Sequence, residues 1–309
     1  MESSKIDLIT VLGPTATGKT QFAANLCKII DAEVISADSR QVYRGMDIGT
    51  GKDIEDYTVA GFNVAYHLVD IVDAGEKYNV FEYQSDFLQV YNKLKEQNKL
   101  PVLCGGSGMY IDAVLKGYKL INVPINQKLR DELESCSLEE LSAKLALYKK
   151  THNRTDVDTK KRAVRAIEIA AYYHDNSDID FAFPTIKPLI FGIKLERQAV
   201  KDRITQRLKQ RLREGMIDEV EGLLKNGIPP ETLIYYGLEY KFITRFLNKE
   251  LSYNAMVDKL NVAIHQFSKR QMTWFRKMER EGFKINWLDG TLPMDEKIAE
   301  AMKIIGESR

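Results

Sequence analysis

The stretch GPTATGKT, residues 13–20, decides the fold of this chain. It consists of Gly13, Pro14, Thr15, Ala16, Thr17, Gly18, Lys19 and Thr20, and it matches the pattern G-x-x-x-x-G-K-[ST]. The apolar run before it, 6–12, predicts a buried strand, and 21–30 carries apolar residues at helical spacing. Strand, glycine-rich turn and helix predict a phosphate-binding loop, because backbone N–H groups and the positive helix N-terminus converge on an anion.

Within that loop, two side chains carry chemistry. Lys19 is expected to reach a terminal phosphate, and the hydroxyl of Thr20 is expected to ligate Mg²⁺. Magnesium is the one metal that the sequence predicts, because the histidines and cysteines show no zinc-ligand spacing.

The bulk composition describes an ordinary globular protein. The chain has 309 residues, 44% hydrophobic and 29% charged, with a formal net charge of +1. Neither a secretory leader nor an apolar run long enough to span a bilayer is evident. Cys27, Cys104 and Cys136 are scattered, which fits reduced thiols. We therefore expect a cytoplasmic monomer with no membrane association.

The order of predicted elements indicates an α/β fold. Further strands are predicted at 33–37, 65–72, 100–104, 189–195 and 284–287, with amphipathic helices between them. We expect a P-loop NTPase-like parallel sheet with helices on both faces. From about residue 122 the apolar strands give way to helices, which predicts an all-helical insertion. The expected division is 1–121 (core, first part), 122–184 (insertion) and 185–309 (core, second part with C-terminal helices).

Two further positions follow predicted strands and should therefore face the same crevice as the loop. Asp38 ends the second strand, where it is either aimed at the bound ligand or an ordinary turn residue. A second glycine turn, 105–108, follows the strand at 100–104. That strand lacks the closing Asp that holds Mg²⁺ in P-loop ATPases, which argues against routine nucleotide hydrolysis.

Basic side chains gather on three predicted helices. Lys161, Arg162 and Arg165 share a face of the helix at 160–173. A second basic helix spans 197–214. In the helix at 254–277, a basic stripe lies beside aromatic residues, as a surface that tracks an RNA backbone requires. There we expect Leu260, Ile264, Phe267 and Trp274 to face inward, and Trp274 and Phe275 to adjoin Lys269, Thr273 and Arg276. A solvated helix surface is the alternative for each basic face.

Taken in order, several motifs resemble those of the tRNA dimethylallyltransferases, also called tRNA Δ2-isopentenylpyrophosphate transferases. The motifs are GPTATGKT (13–20), DSRQVY (38–43), GMDIGT (45–50), GGSGMY (105–110) and KRQMTWFR (269–276). The resemblance implies transfer of a dimethylallyl group from dimethylallyl diphosphate to N6 of the adenosine just 3′ of the anticodon. It also implies Mg²⁺ and an insertion that clamps the anticodon stem-loop of tRNA.

The resemblance assigns roles to individual residues. The loop at 13–20 is implied to hold the diphosphate through Lys19, Mg²⁺ on Thr20 and the amides from Thr15 to Thr20. Asp38 is implied to accept the proton of the adenine amine. The residues implied to contact tRNA are Asp38, Ser39, Arg40, Gln41, Ser107, Arg130, Lys161, Arg162, Arg165, Gln266, Lys269, Arg270 and Gln271.

One departure from the family pattern concerns the diphosphate. Many bacterial members carry an arginine shortly before a Gly-Tyr pair, and the corresponding run here, 233–240, contains none. Either Arg40, Arg44 or Lys52 replaces it, or diphosphate binding is weaker than in those relatives. Alternative functions are an adenylate isopentenyltransferase that acts on free adenine nucleotides, and a P-loop small-molecule kinase.

Overall fold

The computed structural model describes residues 6–148, 157–176 and 183–308. The chain divides into two compact units: the first comprises 1–118 and 184–309, and the second comprises 119–183. The predicted insertion, 122–184, starts three residues later than the second unit and ends one residue later.

The strands are β1 (Leu8–Leu12), β2 (Glu33–Ser36), β3 (Tyr43–Arg44), β4 (Thr58–Val59), β5 (Phe62–Asn63), β6 (Tyr66–His67), β7 (Val72–Asp73), β8 (Pro101–Gly105), β9 (Pro188–Lys194) and β10 (Ile285–Asp289). The helices of the first unit are α1 (Lys19–Ile30), α2 (Val80–Glu96), α3 (Gly108–Leu115), α7 (Arg197–Arg213), α8 (Met216–Lys225), α9 (Pro230–Tyr236), α10 (Leu238–Leu247), α11 (Tyr253–Arg280) and α12 (Met294–Glu307). Those of the second unit are α4 (Gln127–Glu134), α5 (Leu138–Tyr148) and α6 (Lys160–Asp175). A 3₁₀ helix spans Ile54–Tyr57.

The main sheet has six parallel strands in the order β10-β9-β1-β8-β2-β6. Every residue of β1 is buried. Ile9 and Val11 pack with α1 and α12, so the intervening residues of the strand face the opposite side of the sheet and are covered there too. A parallel sheet buried on both faces confirms the predicted α/β class.

One predicted strand, 65–72, is wrong. Only Tyr66–His67 joins the main sheet, because Leu68 and Asp70 take left-handed backbone angles (φ 61° and 55°) that interrupt an extended chain. Val72–Asp73 pairs instead with β3, outside the main sheet. His67 has the structural role expected of it, since its Nε2 lies 2.7 Å from a carboxylate oxygen of Glu33.

In the second unit, Leu133, Leu141, Leu145, Ala163 and Ile167 form a small core of their own. Thr159 caps α6 by accepting a hydrogen bond from the N–H of Arg162. Among the described residues of the chain, no helix combines the length and the apolar character needed to cross a bilayer.

Candidate active site

The glycine-rich loop joins β1 to α1 in the conformation of an anion cradle. Ala16 and Gly18 take positive φ angles of 65° and 82°, and the hydroxyl of Thr17 donates to the carbonyl of Pro14 at 2.9 Å. A Cβ on Gly13 would lie 2.7 Å from the carbonyl oxygen of Ile193, so only glycine fits beside β9. The first N–H groups of α1 have no acceptor within the helix and are available to a bound anion.

Lys19 folds back over this loop. Its Nζ donates to the carbonyl of Pro14 at 2.9 Å, and burial lowers its pKa to about 8. The nearby carboxylate of Asp38 acts in the opposite direction and favours the charged form. The lysine is therefore a desolvated cation that a bound diphosphate can stabilise.

Gln271, on α11, forms hydrogen bonds to the phosphate loop and to the second glycine turn. Its Oε1 accepts the N–H of Thr15 at 2.9 Å, and its Nε2 donates to the carbonyl of Gly106 at 3.0 Å. The amide thus ties the phosphate loop to the second glycine turn, a role that the sequence did not indicate. Because the Thr15 N–H is already bonded, the cradle consists of Ala16 to Thr20 rather than Thr15 to Thr20.

Asp38 lies at the end of β2, where the sequence placed it. Its Oδ1 accepts the N–H of Arg40 at 3.0 Å, so it is a turn residue as well as a wall of the cavity. Beside it, the N–H of Ser39 donates to the hydroxyl of Ser107 at 3.0 Å. The structure therefore brings Asp38, Ser39 and Ser107 together from the segments that follow strands β2 and β8.

A polar cavity of about 90 Å³ lies between the phosphate loop and Asp38. The phosphate loop contributes Thr15, Ala16, Gly18, Lys19 and Thr20, and the opposite side contributes Asp38, Gln41, Thr50, Gly51, Asp53, Asp56, Tyr57, Cys104, Gly105 and Arg207. A phosphate cradle and a carboxylate thus face the same space. This is the arrangement that transfer from a phosphorylated donor to a weak nucleophile requires.

Arg207, on α7, lines this cavity although the sequence assigned it no role there. Its guanidinium donates to the hydroxyl of Thr15, and burial lowers its pKa to about 10, with a further contribution from the neighbouring charge of Arg211. Arg203, Arg207 and Arg211 recur every four residues in the basic helix. Residues at that spacing share one face of a helix, so the sequence could have been used to predict a basic face that includes Arg207.

The three cations that the sequence offered as replacements for the arginine absent from 233–240 are Arg40, Arg44 and Lys52, and none of them lines the cavity. Arg44 pairs with Asp73 at 2.6 Å, and Lys52 donates to the carbonyl of Tyr43 at 2.8 Å and to Asp47 at 2.6 Å. Neither lines the cavity. The side chain of Arg40 lies along Gly237, also outside the cavity walls.

The backbone that leads into the cavity wall at 50–53 is bound by Glu219, on α8. Its carboxylate accepts the N–H groups of Asp47, Ile48 and Gly49 at 2.8, 2.7 and 3.0 Å, and the hydroxyl of Tyr240 at 2.7 Å. A little further along the chain, Arg211 packs on Gly51, where a Cβ would lie 2.5 Å from its Nη2, and donates to Asp53 at 3.1 Å. Hydrogen bonds to charged side chains thereby fix the loop that faces the phosphate cradle.

In the second unit, three predicted tRNA contacts are engaged in ion pairs. Arg130 donates to both carboxylate oxygens of Glu168, at 3.0 and 2.9 Å, and Arg165 binds the same carboxylate. Although burial opposes ionisation, these hydrogen bonds lower the pKa of Glu168 to about 2. Arg162 pairs with Asp158 at 2.6 Å, and Lys161 is exposed.

On α11, the predicted aromatic face is partly wrong. Phe275 is fully buried in the core and cannot stack on a base, whereas Phe267, expected to face inward, is 38% exposed. The guanidinium of Arg270 lies 5.9 Å from the centre of the Phe267 ring. Trp274 packs against Gly108, while Gln266 and Lys269 are exposed, as expected of residues that contact RNA.

The parallel sheet, the cradle at its edge and the helical second unit define a P-loop-type α/β protein. The family model described as IPP transferase matches residues 41–278, and the chain belongs to that family. It is 58% identical to tRNA dimethylallyltransferase 1 of Parabacteroides distasonis, over 97% of each chain. It is 57% identical to tRNA dimethylallyltransferase 2 of Phocaeicola vulgatus, over 97% of this chain and 98% of the relative.

A solved structure agrees with this assignment. The full-length tRNA isopentenylpyrophosphate transferase of Bacillus halodurans is 31% identical and superposes with a TM-score of 0.72. The match covers 98% of this chain and 97% of that one, so the similarity extends through both units.

Proposed function

We propose that this chain transfers a dimethylallyl group from dimethylallyl diphosphate to N6 of the adenosine just 3′ of the anticodon in tRNA, releasing diphosphate. The observation that carries the proposal is the single cavity that joins the phosphate cradle to Asp38. Family membership supports the same reaction.

The cradle stabilises the leaving group. As the bond between the prenyl carbon and the diphosphate oxygen breaks, negative charge grows on the diphosphate. The N–H groups of Ala16 to Thr20, the ammonium of Lys19 and the guanidinium of Arg207 are the donors that we assign to that charge. Because these donors are already held in place, they stabilise the transition state without reorganising.

Asp38 acts as the base. The lone pair of the adenine amine is delocalised into the ring, so the nitrogen is a weak nucleophile until it loses a proton. Asp38 accepts that proton as the N–C bond forms. Its other contact is a hydrogen bond from the N–H of Arg40, which orients the carboxylate but leaves it able to accept a second bond.

The oxygen donors of the cavity fit Mg²⁺. Thr20, Asp53 and Asp56 all line it, although Asp53 is bonded to Arg211 and Asp56 to Gln21. Magnesium is commonly held by one or two protein ligands together with substrate phosphates. We propose that the Thr20 hydroxyl is its protein ligand, and that the bound ion neutralises part of the diphosphate charge.

Extraction of the target base from an RNA loop costs a few kcal/mol, which flanking contacts must offset. We propose that Ser39, Arg40, Gln41, Ser107, Gln266, Lys269 and Arg270 supply such contacts in the first unit, with Lys161, Arg162, Arg130 and Arg165 in the second. Gln271 contributes indirectly by fixing the loop.

We further propose that the protein works as a cytoplasmic monomer. Its three cysteines are free thiols, and two of them are buried. Light scattering on the purified protein, with and without tRNA, tests the oligomeric state.

The decisive experiment is nucleoside mass spectrometry. Unmodified tRNA is incubated with the protein, Mg²⁺ and dimethylallyl diphosphate, and parallel reactions contain AMP or ATP as the acceptor. We expect N6-dimethylallyladenosine in tRNA alone. Prenylated AMP or ATP with unmodified tRNA would instead indicate an adenylate isopentenyltransferase, and phosphate transfer from ATP would indicate a kinase.

A further inference from the structure

A second and larger cavity lies in the first unit, between α7 and α11 at the end of β9. Its volume is about 690 Å³, within the range of about 300–1,000 Å³ that is usual for ligand sites. Its floor is apolar and is formed by Leu195, Val200, Ile204 and Met272, and the half-exposed Val262 also lines it. We call this cavity the α7–α11 cleft.

Positive charge surrounds the apolar floor. The cleft is lined by Lys194, Arg197, Lys201, Lys269 and Arg276, against the single carboxylate of Glu196. Among the described residues, none of these five cations forms an ion pair, although many other lysines and arginines of the chain do. An apolar floor beneath unpaired cations is complementary to a molecule that combines flat apolar surfaces with repeated negative charge.

The cleft adjoins the active site through the phosphate loop. Pro14 lines the cleft, and the next residue, Thr15, lines the catalytic cavity. α11 contributes Met272 to the cleft, while the adjacent Gln271 braces the loop. A chain molecule that reaches the catalytic cavity therefore needs only a short span to enter the cleft as well.

We propose that the α7–α11 cleft binds a single-stranded segment of the tRNA substrate, outside the nucleotide that is modified. An unstacked base lies on the apolar floor, where His265 and the guanidinium planes of Arg197 and Arg276 offer stacking surfaces. The flanking phosphates contact the lysines at the rim. This inference rests on the proposed tRNA prenylation and extends it by a second RNA site.

RNA is favoured over a lipid phosphate because of how the charges are distributed. The five cations come from three elements, namely the end of β9, the first turns of α7 and the second half of α11, so they are spread around the floor rather than gathered on one element. A string of phosphates matches that spread, whereas a single headgroup needs a focused cluster.

The test compares two double variants by fluorescence anisotropy. Lys201→Ala/Arg276→Ala removes two cations of the cleft, and Lys209→Ala/Arg213→Ala removes two exposed cations elsewhere on α7. The probes are a labelled anticodon stem-loop and the same stem closed by a minimal loop. For the stem-loop, we expect the cleft variant to reduce the slope of log K against log salt by about 0.7 for each cation removed.

The control variant should leave that slope unchanged, and the minimal-loop RNA should not distinguish the proteins. With the stem-loop as substrate, the cleft variant should raise KM and leave kcat unchanged. Val262→Glu provides a second variant, because Val262 lines the cleft but is 53% exposed, so its substitution places a negative charge in the cleft without disturbing the core. It should weaken stem-loop binding about tenfold or more.

Equal affinity of the parent protein and both cleft variants for the stem-loop overturns this inference alone. Loss of binding to vesicles of phosphatidylcholine and phosphatidylglycerol, with RNA affinity unchanged, also overturns it and assigns the cleft to a lipid phosphate. A parent protein that binds no stem-loop overturns the proposed function together with this inference.

Discussion

The catalytic cavity and the second unit use the same kinds of charged residue in opposite ways. In the second unit, Arg130 and Arg165 share the carboxylate of Glu168, so each of these arginines has an acidic partner within the protein. In the cavity, Arg207 is bonded to a hydroxyl and Lys19 to a carbonyl, so neither cation has a carboxylate partner. Burial then lowers the pKa of both cations.

The difference indicates that a cation without a carboxylate partner has its whole charge to offer a ligand, whereas a paired arginine offers only part of it. The paired arginines stabilise the helices that they join. The cavity cations, by contrast, are buried without an acidic partner, which destabilises the folded protein. Charge-assisted hydrogen bonds to a bound diphosphate offset that loss of stability.

The largest effect is expected from Asp38→Ala, which removes the proposed base from the cavity. Turnover should fall by about 10²–10⁴-fold, because the adenine amine then attacks without proton transfer to the protein. Affinity for tRNA should change little. Single-turnover assays with saturating donor measure the chemical step, and unchanged turnover would exclude Asp38 from the mechanism.

Arg207→Ala tests whether the cation without a carboxylate partner works on the leaving group. We expect turnover to fall by about 10²–10³-fold, as for the loss of one donor to a developing charge. The matched control is Arg213→Ala, an exposed arginine of the same helix that does not line the cavity. Equal losses in both variants would mean that α7 acts only through its overall charge.

Lys19 predicts a pH dependence of donor binding. Its pKa is about 8, and only the protonated form attracts diphosphate, so affinity should fall as the pH rises above 8. The expected slope is about tenfold per pH unit up to the pKa of the donor-bound lysine. Calorimetric titration with dimethylallyl diphosphate measures it. Lys19→Arg keeps its charge over this range and should flatten the profile; a profile that stays steep would assign the titration to another group.

Glu168 predicts the smallest effect, on stability in acid. Its pKa is lowered from 4.5 to about 2 in the folded protein, so its contribution is complete above pH 4.5 and is lost as the pH falls towards 2. We expect a loss of about 2 kcal/mol, since the partner arginines are partly exposed. Hydrogen exchange of α6 amides measures the loss, and Glu168→Gln should abolish most of it. An unchanged pH dependence in that variant would place the acid sensitivity elsewhere.

Local sequence patterns predicted most of the architecture. The loop at 13–20, the core strands and the long helices follow from apolar periodicity and from turn residues that act on their neighbours along the chain. The motifs also indicated the family, which the comparisons confirmed. The failure at 65–72 came from two left-handed residues, neither a glycine, which apolar content does not reveal.

Only the tertiary structure decided which charges are available and which side chains close the site. Arg207 meets Thr15 across 192 positions of sequence, and Gln271 meets it across 256. Likewise, helical periodicity places Phe267 and Phe275 on α11 but does not tell which of them packs into the core. Periodicity reflects residues that are close together in the sequence, whereas these contacts depend on how distant elements pack. The pattern of one sequence does not predict that packing.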